Sequence, residues 1–301
     1  MNTDAFIDRK QLKQRLIIWQ IFAIITTVVL VIFLIGKFDG FKNNDHIAVL
    51  NISNIIVDDP NRSKALTNIA KDKLTKALIV HIDSPGGTVV GGEALYLNLR
   101  EVAEKKPVVA IINNMATSAG YMAAIAADQI FARQSSITGS IGVIIQTTDI
   151  TILLKKLGVK AESIKSAPLK AQPNPLEPMN ENIRSATRLV VEDIFNMFID
   201  MVVMRRKMDK KEVIQLADGR IYTGRQAVKN GLIDAIGGKK EALEWLSANK
   251  NISSQLPLHL VSFKRKISIV DKILDWPLGN IAISDRLGLD GLVSLWQPAI
   301  R

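Results

Sequence analysis

The sequence predicts an α/β fold, a mostly parallel sheet covered on both faces, carried behind an N-terminal transmembrane helix. Three observations predict it. Short, continuously apolar runs recur along the chain, stretches of helical periodicity separate them, and the first forty residues hold an uncharged segment of bilayer length. The chain has 301 residues, 48% hydrophobic and 23% charged, which is long enough for a full-sized core and too apolar for a disordered chain.

The anchor comes first. Residues 16–36 read LIIWQIFAIITTVVLVIFLIG, without a charge. As a helix they would span roughly 30 Å, the thickness of a bilayer's hydrocarbon. Trp19 sits near one end; Arg9, Lys10, Lys13 and Arg15 precede the run, and Lys37 and Lys42 follow it. The positive-inside tendency then places residues 1–15 in the cytoplasm and the remainder on the extracytoplasmic, periplasmic side of the inner membrane, in a single-pass protein. A cleaved signal peptide would have an apolar core of about 7–15 residues and a small-residue cleavage site. This run ends Ile35-Gly36-Lys37-Phe38 instead. Residues 37–46 read as a short tether.

The strands and helices follow in order. Residues 47–52 (IAVLNI), 77–82 (ALIVHI) and 107–112 (PVVAII) read as buried strands, and 129–132 and 141–145 as shorter ones. Residues 93–105 place Leu95, Leu99 and Val102 on one helical side. Residues 118–127, rich in alanine, suit a buried helix. Beyond Asn180 the apolar positions Ile183, Val190, Val191, Ile194, Phe195, Phe198 and Val202 mark one long helix, with shorter ones over 209–216, 223–230 and 239–248. Gly231 is placed to end the helix over 223–230. After residue 264 only a short amphipathic pattern, Ile269 to Leu274, precedes Trp276-Pro277.

Composition excludes several chemistries. There is no cysteine, so thiol catalysis, disulfide scaffolds and cysteine metal sites are out. The three histidines, His46, His81 and His259, are scattered, so no metal site and no cofactor is expected. The net charge of +10 has clumps in the first fifteen residues, at Arg205-Arg206-Lys207 and at Lys264-Arg265-Lys266. No nucleic-acid motif or aromatic platform accompanies it, and a solvated or membrane-proximal surface is the reading; no nucleic-acid partner is expected.

Chemistry concentrates in three places. Asp83-Ser-Pro-Gly-Gly87 joins a strand to a helix, and its Gly86-Gly87 backbone can approach a ligand closely and offer N–H groups to an oxyanion. The plainer reading is an ordinary turn. Asn114-Met-Ala-Thr-Ser-Ala-Gly-Tyr121 runs a strand into a helix of small residues, where a hydroxyl is placed for nucleophilic attack or merely for capping. No Gly-x-Ser-x-Gly elbow exists, and no histidine is well placed as a base. A lysine can replace histidine where burial leaves its amine neutral. The third segment, residues 163–175, offers Lys170, with no carboxylate nearby until Glu177, and Lys165 as the other candidate.

Together these segments resemble the signal peptide peptidase A family, the S49 serine peptidases, in their short single-domain form. The resemblance rests on Asp83-Ser-Pro-Gly-Gly87, Ala116-Thr-Ser-Ala-Gly-Tyr121, Ser136-Ile-Thr-Gly-Ser-Ile-Gly-Val143, and Ala217-Asp-Gly-Arg-Ile-Tyr-Thr-Gly-Arg-Gln-Ala227 with Gly231-Leu-Ile-Asp234 and Gly237-Gly238. It implies a ClpP/crotonase-like fold over residues 47–248, followed by a C-terminal extension, 249–301, of unassigned role. It further implies Ser118 as nucleophile and Lys170 as general base, although Ser166-Ala-Pro-Leu-Lys170 lacks the glycine and tyrosine usual in that segment. The implied oxyanion donors are the Ser118 N–H and one from Gly86 or Gly87, and Ser140 could orient the lysine. In the short members serine and lysine come from adjacent protomers, so a homo-oligomer is implied. The expected substrates are cleaved signal peptides and similar apolar peptides near the membrane. Two other readings stay open: a crotonase-type acyl-thioester enzyme, which would bind coenzyme A, and a catalytically inactive membrane scaffold of the same fold.

Overall fold

A computed structural model describes residues 3–38, 44–263 and 293–295. The chain divides into two units, residues 1–44 and 45–301.

The first unit is one helix, α1 (Thr3–Phe38), of 36 residues. Its described side chains from Leu16 to Val31 are all exposed, Trp19 by 71%. Residues 32–36 of the expected span lie outside the described side chains. Among the described residues no helix is long and apolar enough to cross a membrane. The tether falls partly on residues 39–43, also outside the described set.

The second unit is built on one sheet. In chain order it comprises β1 (His46–Ile56), α2 (Pro60–Lys71), β2 (Thr75–Thr88), α3 (Val89–Ala103), β3 (Val108–Thr117), α4 (Ala119–Ile125), β4 (Gln129–Ala132), β5 (Ile137–Gly139) and α5 (Thr151–Lys156). Then come α6 (Glu181–Arg206), α7 (Lys210–Leu216), β6 (Ile221–Thr223), α8 (Gly224–Lys229), β7 (Ala235–Ile236), α9 (Lys239–Lys250), β8 (Leu258–Leu260) and β9 (Val293–Leu295). The strand order is β6-β5-β3-β2-β1-β8, with β4 pairing β3 and β7, and β9 pairing β2. Pairing is parallel except between β5 and β6 and between β2 and β9.

Both faces of the central strands are buried, which explains their unbroken apolar runs. Leu78, Val80 and Ile82 of β2 point into a core with Leu95 and Leu99 of α3, Met122 of α4 and Phe198 and Val202 of α6. Ala77 and Ile79 point the other way, against Ala242 and Leu246 of α9. The alternation is that of a strand, where successive side chains face opposite sides.

Two expectations are corrected. Residues 141–145 are not a strand; residues 137–139 are. Gly139 (φ +84) and Ser140 (φ +49) turn the chain out of the sheet immediately after β5, so the apolar residues that follow leave the ladder. The sheet also runs past residue 248. β8 pairs with β1 at Ile47↔Leu258 through Val49↔Leu260, and the Val261 N–H reaches the Val49 carbonyl at 2.8 Å. Lys264-Arg265-Lys266 and the amphipathic pattern at 269–274 lie outside the described residues.

Candidate active site

The parallel strands β2 and β3 end side by side, and both chemical motifs lie at their C-terminal ends, where loops on such sheets gather functional groups. Asp83 ties the two together. Its Oδ2 accepts from the Asn114 side chain at 2.6 Å and its Oδ1 from the Met115 N–H at 3.3 Å. Thr117 Oγ1 donates to the Pro85 carbonyl at 3.0 Å. The glycine turn and the serine are therefore locked in one frame.

Ser118 stands between β3 and α4, 1% exposed, with φ +56 and ψ −118. That backbone lies outside the left-handed well that non-glycine residues tolerate, and such residues cost about 1–3 kcal/mol and cluster at functional sites. Its surroundings hold it there. The Ser118 N–H donates to the Gly139 carbonyl at 2.9 Å, and the Ser118 carbonyl accepts from Tyr121 and Met122 N–H groups at 2.9 and 3.0 Å. The first of these bonds corrects an expectation: the Ser118 N–H is already engaged and is not turned toward an oxyanion.

The glycine turn is extended backbone continuing β2. Gly86 has φ +122 and donates its N–H to Ser84 Oγ at 3.2 Å. Ser84 is fully buried and its hydroxyl also reaches the Asn54 carbonyl at 2.5 Å. A Cβ on Gly87 would fall 1.8 Å from the Ile56 carbonyl oxygen, so only glycine lets β2 lie this close to β1. On Gly120 a Cβ would meet the Ser84 carbonyl at 3.0 Å, which is why α4 opens with small residues.

The other motif segments are braces. Ser136 Oγ donates to the Ile112 carbonyl at 3.1 Å, and Thr138 Oγ1 to that of Ala116 at 2.8 Å, fastening β5 to β3. This presents Gly139 to Ser118. Ser140, 8% exposed, lies next in the chain and donates its N–H to the Arg220 carbonyl at 2.8 Å. Ser140 is thus beside the Ser118 backbone. The 217–227 motif supports that turn: a Cβ on Gly139 would strike the Tyr222 ring at 2.7 Å, and Gly224 N–H bonds the Ser136 carbonyl at 2.8 Å. Buried Tyr121 donates its hydroxyl to the Leu232 carbonyl at 2.8 Å, and desolvation pushes that phenol well above its ordinary range.

The basic pair at the end of α6 has a structural task different from the one its position suggests. Arg205 donates to the Ile125 and Ala127 carbonyls at 2.9 Å each, and Arg100 to that of Ala126 at 2.8 Å. These guanidinia satisfy the last carbonyls of α4, not those of α6. Arg206 binds the Gly231 carbonyl at 2.7 Å and Asp234 at 2.8 Å.

The lysine segment is different. Lys165 is ion-paired with Glu177 at 2.6 Å, and that contact holds the Glu177 carboxyl below its usual range. The Lys165 amine is thereby engaged by a carboxylate, which leaves Lys170 as the candidate. Lys170 is exposed, and among the described residues its side chain forms no hydrogen bond or ion pair. Within one chain it is not joined to buried Ser118. Its segment lies on the first half of α6, with Leu169 and Pro173 beside Ile183, Ala186 and Val190 around a shallow apolar hollow. Among the described residues no three histidine, aspartate or glutamate side chains gather to hold a metal ion.

A buried, backbone-strained serine at a strand–helix junction, faced by a glycine turn on a helix-covered parallel sheet, is the layout of an enzyme with a serine nucleophile. The sequence matches the model of peptidase family S49 over residues 100–253, a span that takes in Ser118, Ser140 and Lys170. A provisionally named protease of Synechocystis, slr0021, is 38% identical over 185 residues, covering 60% of this chain and 65% of that protein. A provisionally named signal peptide peptidase SppA of Enterococcus faecium is 31% identical over 265 residues, 81% of this chain and 76% of that protein. The chloroplastic serine protease SPPA of Arabidopsis thaliana is 31% identical over 232 residues, 76% of this chain and 34% of that protein. The match therefore spans just under two thirds of the cyanobacterial relative and about a third of the plant one. The chain belongs to peptidase family S49, the serine peptidases to which its motifs point, and its mixed α/β sheet with flanking helices is consistent with the ClpP-like fold of that family.

Proposed function

We propose that the protein is a membrane-anchored serine endopeptidase in which Ser118 of one copy works with Lys170 of a neighbouring copy. The observation that carries the nucleophile is Ser118 itself, strained, buried and held by backbone bonds to Gly139, Tyr121 and Met122. The shared site is favoured by the state of residues 144–190. Ile144, Ile152, Leu157, Ile164 and Leu189 are all exposed there, Ile164 by 102%, on the segment that bears Lys170. So much open apolar surface around a base candidate calls for a second copy to cover it. Anchoring is favoured by α1, whose apolar side chains from Leu16 to Val31 are exposed.

In the assembled site the Lys170 amine, uncharged once desolvated between copies, takes the proton from Ser118 Oγ as that oxygen attacks a peptide carbonyl. The oxyanion rests on a backbone N–H of the Gly86-Gly87 turn. The resulting ammonium protonates the leaving amine, and water then releases the acyl group by the same route. Ser140, on the turn next to Ser118, is suited to orient the amine. The substrates are cleaved signal peptides and similar apolar peptides, as fits an enzyme held at the extracytoplasmic surface of the inner membrane with its N-terminus in the cytoplasm.

A fluorogenic apolar peptide tests this. The detergent-solubilised full chain should hydrolyse it, and Ser118→Ala should abolish turnover while leaving the assembly's size unchanged. Turnover by Ser118→Ala would remove the serine from the mechanism. A full chain that binds acyl-coenzyme A and cleaves no peptide would favour the acyl-thioester reading.

A further inference from the structure

The glycine turn leans on the backbone at the end of β1 and just beyond it. Ile56 pairs with Gly87, and a Cβ on Gly87 would fall 1.8 Å from the Ile56 carbonyl oxygen. Val57 lies close to the start of α3: a Cβ on Gly91 would meet the Val57 carbonyl carbon at 2.6 Å and its Cα at 2.7 Å. Gly91 in turn donates its N–H to Thr88 Oγ1 at 3.1 Å, the cap that joins the turn to α3. Residues 56–57 therefore bear on both ends of the segment 87–91. The Val57 side chain is exposed, so its own packing does little to fix this backbone.

A side chain of α2 fixes it instead. Arg62 Nη2 donates to the Val57 carbonyl at 2.6 Å. Arg62 is only 7% exposed, and among the described residues its buried Nε has no hydrogen-bond partner. Burying a guanidinium and leaving one donor unmet is costly, and an apolar side chain of similar length would fill the space without that cost. Packing alone therefore does not account for an arginine here; the bond to Val57 does. Asp59 ties the other end of the same loop, accepting the Asn61 and Arg62 N–H groups at 2.9 and 3.3 Å.

We propose that Arg62 is a positioning residue for peptide hydrolysis: by gripping the Val57 carbonyl it sets the backbone against which Gly87 and Gly91 rest, and so aims the turn that receives the oxyanion. The inference rests on the peptidase reading above and adds to it a residue that acts through the glycine turn and lies outside every motif of the site. A donor that is slightly misplaced costs transition-state stabilisation and leaves ground-state binding of the peptide intact. Loss of the Arg62 bond should therefore lower kcat and spare KM.

The test compares the full chain with Arg62→Met and Arg62→Lys in the same detergent, well below their Tm. Methionine fills the space without a donor; lysine keeps one donor for the carbonyl. Arg62→Gln, whose amide ends short of the carbonyl, serves in place of a methionine chain that does not fold. Hydrolysis of the fluorogenic peptide is measured beside inhibition by a peptide aldehyde, whose adduct with a serine places an oxygen where the oxyanion forms. Amide hydrogen exchange over residues 86–91 is followed in the same chains. In Arg62→Met the expected kcat is at least about tenfold lower at a KM within about twofold, and the aldehyde Ki rises by about the same factor. Arg62→Lys should return both to within about threefold of the parent. A lower kcat with an unchanged aldehyde Ki would mean only less folded enzyme, and would overturn the proposal while the peptidase reading stands. Unchanged kinetics in Arg62→Met, or a lysine chain no better than the methionine one, would overturn it equally. If the parent itself cleaves no peptide, the peptidase reading falls. Exchange over 86–91 that is faster in Arg62→Met and restored in Arg62→Lys would then still uphold the grip on the turn, and equal exchange in all three chains would overturn it.

Discussion

Replacing Ser118 by glycine and by alanine separates what the residue does from what it costs. Both remove the hydroxyl, so both should abolish turnover. They differ in the backbone. At φ +56 and ψ −118 alanine keeps the Cβ clash of the native serine, worth about 1–3 kcal/mol. Glycine removes the clash but adds about 0.5–1 kcal/mol of unfolded-chain entropy. Taken at mid-range, the difference is about 1 kcal/mol in favour of glycine. For a domain of this size each kcal/mol shifts Tm by roughly 2–4 °C. Thermal unfolding followed by circular dichroism should place Ser118→Gly about 2–4 °C above Ser118→Ala. An alanine variant as stable as the glycine one, or more so, would show that the residue is not strained and would remove the strongest structural sign of the nucleophile.

Three other outcomes are expected. Gly87→Ala forces a methyl group to within 1.8 Å of a backbone oxygen that no rotamer change can move, so it should cost about 3 kcal/mol or more and abolish activity; a fully stable variant in chemical denaturation would contradict the close β1–β2 approach. Tyr121→Phe leaves the Leu232 carbonyl without its buried donor, and Tm should fall by several degrees for a loss of about 1–3 kcal/mol; an unchanged Tm would show the bond to be dispensable. His81 is held below its ordinary pKa, chiefly by desolvation, with the Asn113 contact working in the opposite direction. The unfolded chain then binds the proton first, so His81 takes nothing from stability above its unfolded value near 6.5 and destabilises progressively as pH falls below it. A pH series of Tm should show this acid-side loss reduced in His81→Gln, and parallel profiles would contradict it.

The sheet was legible because its strands are buried on both faces, and runs such as 77–82 then have no polar alternation to confuse them. The helix α2 was not anticipated, although Asp59 caps it by accepting the Asn61 N–H at 2.9 Å and Pro60 opens it. That signal, aspartate before proline with Leu66, Ile69 and Ala70 following, was present in the sequence. The edge strands β6, β7 and β8 are two or three residues long and are defined by the partners beside them, which no local pattern reveals. In the site, Ser118 and the glycine turn were found from their motifs. The engagement of the Ser118 N–H by Gly139 was not, because it joins positions far apart in sequence through the turn after β5. Ser84, Asp83 and Thr117 were passed over as parts of motifs, yet they hold the two loops together. Arg205 was read only as part of a charge clump, because the sequence cannot show that α4 ends beside it.

The central claim is a serine and a lysine contributed by different copies. Full-length Ser118→Ala and Lys170→Ala chains, each inactive alone, are to be unfolded together, refolded as a mixture in detergent, and assayed on the fluorogenic peptide. In an equal mixture a site needs an intact serine from one chain and an intact lysine from its neighbour, and about a quarter of the wild-type activity should return. A mixture as inactive as its components, from assemblies shown to contain both chains, would contradict the shared site.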